Sequence, residues 1–168
     1  KASEQLGYSK ATSRKTTTGV YAEKTIMIFC PSVTNPYYAA LVQSIEQAAY
    51  SRGFDVLVHN TYRDPERERR GLDILRSSNL AGAIFTIPPQ LQKVAEDINK
   101  SIPIVVISDR AQNLNIDAIE LNNYIAGELI AKHLLELGHQ HIAYISTSLD
   151  QYNIARTRRL DGLTKAFI

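Results

Sequence analysis

Four turns in this 168-residue sequence carry most of the side chains that could do chemistry. Ser32, Thr34, Asn35, Tyr37 and Tyr38 follow the apolar run TIMIFC, and Asn60 and Arg63 follow DVLVH. Thr86 comes after GAIF, and Asp109-Arg110 after IVVIS. Together they offer hydroxyls, amides, a carboxylate, a guanidinium and two aromatic faces. That set suits a neutral polyhydroxy ligand: Asp and Arg make bidentate hydrogen bonds to vicinal hydroxyls, and rings stack on the ligand's apolar face. Asn35 also reads as a helix cap, and Tyr37-Tyr38 as packing.

Other chemistries lack their residues. The turn CPSVTNPYY has no glycine, so it is not a GxGxxG dinucleotide cradle, and no GxxxxGK[ST] loop exists. No GxSxG elbow is present. His139-Gln140-His141 has no carboxylate or cysteine arranged beside it, so a metal is not expected. Cys30, the one cysteine, ends an apolar run with no nearby histidine and reads as a buried, inert thiol. No cofactor and no catalytic residue are expected.

The turns need elements to hold them, and from Lys24 a rhythm supplies these. KTIMIFC reads as a strand, and Asn35-Pro36 as the cap and first residue of a helix over Pro36–Arg52, stopped at Gly53. FDVLVHN is a second strand, and Asp64-Pro65 opens a second helix. AGAIFTI, IPIVVIS and a short DAIEL are further strands, with a helix carrying Leu91, Val94, Ala95 and Ile98 after the third. A long helix over Asn122–Leu137, a sixth strand HIAYIS and a last helix over Asn153–Phe167 complete the series. Short apolar strands alternating with amphipathic helices predict an α/β fold with a parallel, doubly wound sheet buried on both faces. In such a sheet the turns after the strands converge on one edge, where ligands bind.

Composition sets the outer bounds. The chain is 44% hydrophobic and 21% charged with a net charge of +2, ordinary for a globular domain and too mild to argue for nucleic acid. The charge is uneven, however: Lys1, Lys10, Arg14 and Lys15 face only Glu4 before Gly19, in a threonine-rich arm compatible with phosphate contacts or with a solvated linker. No apolar run approaches the ~18 residues of a membrane span, and no leader signature precedes the first strand. A cytoplasmic location with no membrane partner is the expectation.

The motifs also resemble a known family. LGY with a basic linker, a strand ending in PSVTNPYY, then GFDVLVHNT, LAGAIFTIP, IPIVVISDR, LLELGHQHIAYIS and RTRRLDGLTKAF are similar to the lactose-repressor (LacI/GalR) family of bacterial transcription regulators. The resemblance covers essentially the whole chain. It implies a helix-turn-helix headpiece, a hinge and a two-subdomain effector core of periplasmic-binding-protein type I fold, usually a dimer on a palindromic operator. An effector in the cleft, a sugar, a sugar phosphate or a nucleobase-like molecule, would shift operator affinity. The implied division is residues 1–23 for the end of the headpiece and the hinge, 24–150 for the N-terminal effector subdomain, and 151–168 for the start of the C-terminal one. The recognition helix and most of the second subdomain are thus expected to lie outside this sequence.

The same resemblance places Ser32, Asn35, Tyr37, Tyr38, Thr86, Asp109, Arg110, Asn123 and Arg159 at the effector, with Asp109 and Arg159 foremost. It places Lys10, Arg14 and Lys15 on DNA and the helix from Tyr37 to Arg52 at the dimer interface. Two departures stand out: Thr16-Thr17 lie near where relatives carry a leucine that wedges into the minor groove, and Leu121-Asn122 replace a common acidic start. The function implied is an effector-controlled repressor. Two alternatives are an exported sugar receptor of the same fold, which would lack a headpiece, and a small α/β sugar-processing enzyme, which would need a base or nucleophile that the sequence does not show.

Overall fold

A computed structural model describes residues 23–107, 114–146, 149 and 154–167. Five parallel strands form one sheet: β1 (Thr25–Cys30), β2 (Asp55–Asn60), β3 (Gly82–Phe85), β4 (Ile104–Ile107) and β5 (Asp117–Ile119), in the order β2-β1-β3-β4-β5. The helices are α1 (Pro36–Tyr50), α2 (Pro65–Ser77), α3 (Gln92–Asn99), α4 (Asn123–Glu136) and α5 (Ile154–Ala166). The parallel, doubly wound α/β sheet expected from the sequence is present. β1 is its pivot, pairing with β2 on one side and β3 on the other through registers such as Ile28↔Val58 and Ile28↔Ile84. Strand order reverses there, so the carboxyl ends of β1 and β3 flank the switch point.

The local chemistry that starts the helices works as the sequence predicts. Asn35 accepts the Tyr37 N–H at 3.0 Å and Asp64 accepts the Glu66 N–H at 2.9 Å, each ahead of a proline that has no N–H to lose. Asn122 caps α4 by accepting the Ile125 N–H at 3.1 Å. Gly53 and Gly138 take left-handed backbone (φ 76° and 81°) just past helix ends, where a Cβ would be strained.

The core is built on β1. Met27 and Phe29 point to the face covered by α2 and α3, where Leu72, Leu75, Phe85 and Ile98 join them. Ile28 and Cys30, one residue out of phase, are buried too. Burial on both sides explains the unbroken apolar run TIMIFC, each large side chain contributing roughly 1.5–3 kcal/mol. The edge strands depart from the expected two-sided burial. In β2, Leu57 is 44% exposed, and every residue of β5 is exposed. Each has a neighbour on one side only, so half its surface faces outward.

One expected element is not formed. Residues 141–146, HIAYIS, are not a strand. A strand is fixed by ladder bonds to a neighbour, and no described segment offers one; Ile145 is 95% exposed. The helices around this segment, α4 and α5, pack mainly on each other. They approach at Gly127 and Gly162, where a Cβ on either would strike backbone of the facing helix.

Candidate functional site

The turn after β1 is held by hydrogen bonds from within and from β2. Ser32 and Thr34 hydroxyls share a bond of 2.7 Å, and the Thr34 N–H donates to Ser32 Oγ at 3.2 Å. Asn60, last residue of β2, accepts the Val33 N–H at 3.0 Å and the Cys30 thiol at 3.3 Å. One amide oxygen thus ties the turn to the neighbouring strand. Asn60→Ala should lower stability by about 1 kcal/mol, whereas Asn60→Asp, which keeps an acceptor there, should lose less. Urea unfolding of the two variants checks this; equal losses would show that the oxygen does not hold the turn.

The turn after β2 is strained. Buried Thr61 donates its hydroxyl to the Cys30 carbonyl at 3.3 Å and accepts the Arg63 N–H at 3.3 Å. Between these anchors Tyr62 and Arg63 both adopt left-handed backbone, φ 52° and 57°, which side chains other than glycine seldom take. Such strain persists where surrounding bonds dictate it and gathers at ligand sites. The Arg67 guanidinium lies 4.6 Å above the Tyr62 ring.

Tyr37 and Tyr38 meet edge to face at 5.1 Å, with Tyr37 58% exposed and Tyr38 half-buried. Burial pushes the Tyr38 phenol above its ordinary value, while the charges of Arg63 and Arg156 pull it down. Arginines from the β2–α2 turn and from α5 therefore both lie within electrostatic reach of this hydroxyl. Thr86, buried after β3, donates its N–H (3.0 Å) and its hydroxyl (3.1 Å) to the Phe29 carbonyl. Its hydroxyl proton is spent on the sheet, so towards a ligand it can only accept.

Glu68 of α2 is buried and accepts the Leu91 N–H at 2.8 Å, securing the Pro88–Leu91 loop. Burial raises the Glu68 carboxyl above its usual range, against the N–H groups of Leu91 and Gln90 and the charge of His59. The folded state then holds its proton to higher pH than the unfolded chain does. Stability should fall as pH rises from the ordinary carboxyl range through the raised value, and level above it. Glu68→Gln keeps an acceptor oxygen and lacks this titration. Urea unfolding of both proteins across that range should give curves that diverge in slope; parallel curves would mean the carboxyl titrates normally.

On α4 and α5 stand the remaining candidates. Asn123 donates its side-chain amide to the Leu121 carbonyl at 3.3 Å, beside the Asn122 cap. Arg159 donates from Nε to the Ala155 carbonyl at 3.3 Å and, with Arg156, Tyr144 and Ser146, lines a cleft of about 410 Å³. The Tyr144 hydroxyl donates to the Arg156 carbonyl at 3.2 Å. A second cleft of about 300 Å³ sits at the amino ends of β4 and β5. Its Asn99 and Glu96 groups are engaged in holding the Ile104 and Asn115 backbone.

Ser32, Asn35, Tyr37, Tyr38 and Thr86 thus share the carboxyl edge at the switch point, and Asn123 and Arg159 belong to the α4–α5 pair. Asp109, Arg110, Lys10, Arg14 and Lys15 lie outside the described residues. Thr61, Glu68 and Arg156 were not among the candidates. Arginine density in RTRR was the only sign of Arg156, and nothing in TYRD, which has no glycine, betrays a left-handed pair. Cys30 is buried, and burial raises its thiol, as suits an inert side chain. Among the described residues no group of three His, Cys, Asp or Glu could hold a metal ion.

A family profile described as periplasmic binding proteins and sugar binding domain of LacI family matches residues 23–167. Among curated proteins, the HTH-type transcriptional repressor PurR of Haemophilus influenzae (strain PittEE) is 30% identical over 165 residues, 97% of this chain and 48% of that protein. The chain spans about half the length of the curated relatives it matches. A periplasmic binding protein/LacI transcriptional regulator from Alkaliphilus metalliredigens, complexed with D-xylulofuranose, is similar with a TM-score of 0.71 at 28% identity, over 85% of this chain and 52% of the other. A LacI family transcriptional regulator from Lactobacillus casei with bound sucrose gives 0.70 at 28% identity, over 84% and 53%.

Proposed function

The chain belongs to the family of periplasmic binding proteins and LacI-type sugar-binding domains, and on that premise we propose that it is the effector-sensing part of a DNA-binding transcriptional repressor. Its fold is of the periplasmic-binding-protein type I kind. The observation that carries the reading is the polar, tyrosine-flanked set of turns at the switch point, within electrostatic reach of the arginine-bearing helix α5. A sugar or sugar-phosphate effector sits between Ser32, Asn35, Tyr37, Tyr38, Thr86, Asp109 and Arg110 on one wall and Asn123 and Arg159 on the other. The packing of α4 chiefly on α5 favours a boundary between the two subdomains just before α4 over one at residue 150.

Effector binding draws the walls together and shifts the population of a homodimer between two arrangements that differ in operator affinity. The exposed side of α1, with Gln43 and Gln47, serves as the dimer contact. Lys10, Arg14 and Lys15 meet operator phosphates, and the protein works in the cytoplasm as a regulator and not as an enzyme. No helix among the described residues is long and apolar enough to cross a membrane.

Fluorescence anisotropy of the full-length protein on operator DNA, with and without sugars, tests the reading. Salt-sensitive binding that one class of sugar alters is expected. Absence of any DNA binding would sink it.

A further inference from the structure

Glu68 is the one acidic or basic side chain buried among the described residues. A carboxyl taken out of water is costly to keep unless its hydrogen bonds are made, and the bond it makes crosses to another helix. α1, α2 and α4 each begin on a side-chain cap of their own, from Asn35, Asp64 and Asn122. α3 does not: Leu91 at its start makes no side-chain cap, and its first turn holds no acidic residue. Glu68 takes the Leu91 N–H instead, at 2.8 Å. In a capping box this bond comes from a Glu three residues into the same helix. Here that position is Val94, and α2 supplies the oxygen.

Between Thr86 and Leu91 the chain reads IPPQ, with two successive prolines of fixed φ and no N–H. One end of this stiff loop is held to β1, because Thr86 gives both its N–H and its hydroxyl to the Phe29 carbonyl. The other end is held to α2 through Glu68. A short loop pinned at both ends moves as its anchors move. α2 is tied to its neighbours as well: His59 Nε2 bonds the Arg67 carbonyl at 2.8 Å, and Arg76 pairs with Asp97 of α3 at 3.0 Å. Leu72 and Leu75 share one buried cluster with Ala95 and Ile98 of α3. We propose that Glu68 is a positioning residue of the effector site: as a cap lent to α3 by α2, it fixes the loop after Thr86 and passes any shift of α2 to that wall. The proposal rests on the effector-binding reading above and adds to the residues facing the effector one that acts through the loop.

Hydrogen–deuterium exchange and sugar titration of the full-length protein test this on three variants. Glu68→Met keeps the length of the side chain and has no oxygen, and Glu68→Gln keeps the acceptor. Leu75→Ala loosens the same buried face of α2 two turns further on. In Glu68→Met the segment from Thr86 to Leu91 should exchange at least about tenfold faster under native conditions, while β1 keeps its protection. Glu68→Gln should restore the slow rate, and Leu75→Ala should not single out this segment. Operator-binding anisotropy with a panel of aldoses, ketoses, disaccharides and sugar phosphates gives the second readout. The half-effective concentration of the sugar that acts should rise about tenfold in Glu68→Met and stay near the wild-type value in the other two. Unchanged loop exchange in Glu68→Met, or faster exchange with an unaltered sugar response, overturns the positioning role and spares the sensing one. So does an equal loss of response in Leu75→Ala, which marks a merely structural part. Should Glu68→Met not fold, Glu68→Asp, whose carboxylate falls one methylene short of Leu91, takes its place with the same outcomes. If no sugar in the panel alters operator binding by the wild-type protein, the sugar-sensing reading falls, and this role of Glu68 with it.

Discussion

Gly162→Leu should force α4 and α5 apart and lower stability by about 3–5 kcal/mol, a loss at the far end of what single substitutions do. A Cβ at Gly162 meets the Tyr124 carbonyl oxygen directly, with the Tyr124 carbon at 2.9 Å and the Glu128 nitrogen at 3.1 Å. At Gly127 the reciprocal Cβ meets the Arg159 carbonyl oxygen, and Leu163 nitrogen lies 2.9 Å away. These neighbours are backbone, so no rotamer change relieves the clash and a helix must move. The milder Gly162→Ala gives the sign. At an ordinary helical site alanine gains about 1 kcal/mol over glycine, whereas here it should destabilise. Because both glycines serve one crossing, Gly127→Ala with Gly162→Ala should cost less than the sum of the single changes. Denaturant unfolding measures all four proteins. A Gly162→Leu protein as stable as wild type would show that the helices do not pack at this distance. Arg156 and Arg159 ride on α5, so effector affinity should fall together with stability.

Phe29→Ala is expected to cost about 3–5 kcal/mol, the usual loss for a buried aromatic residue. Its ring is 1% exposed, stacked on Phe85 at 4.2 Å and nearly parallel to it, and set edge-on to His59 at 5.4 Å. Gly71 of α2 lies against the same ring so closely that a Cβ there would strike Phe29. Three elements therefore meet at one side chain, and little can move in to refill the space. Phe29→Leu, which keeps most of the volume, should cost far less. The substitution also reaches the site, because the Phe29 carbonyl holds both the N–H and the hydroxyl of Thr86. Thermal unfolding separates the two variants, and a small loss in Phe29→Ala would mean that the core refills. In the alanine variant, effector affinity should weaken even at temperatures where the protein stays folded.

Much of this was legible in one dimension because local chemistry is written in neighbouring residues. Asn35-Pro36 and Asp64-Pro65 start helices through bonds made within two positions. The unbroken apolar run of β1 announces burial on both faces, which only an interior strand between helices experiences. The polar residues after each strand could be read as one site because parallel topology sends all those turns to the same edge. HIAYIS shows the limit. Its composition is that of a strand, yet a strand requires a partner, and partnership is not a property of six residues.

What the sequence by itself determined is the order of β1 to β5 and of the five helices, the caps, the buried run of β1 and the candidate residues of its turn. Family membership was visible there too, as a resemblance carried by motifs spread along the chain. Tertiary structure decided which of these residues are spent holding the fold and which remain for a ligand. It gave Thr86 and Asn60 to the sheet, Glu68 to the Pro88–Leu91 loop, and Gly127 and Gly162 to a helix crossing. It also brought Arg63 and Arg156, far apart in the chain, to bear on one tyrosine. Hydrogen bonds, packing and charge depend on distance in space, and chain separation sets that distance only within a helical turn or a tight loop.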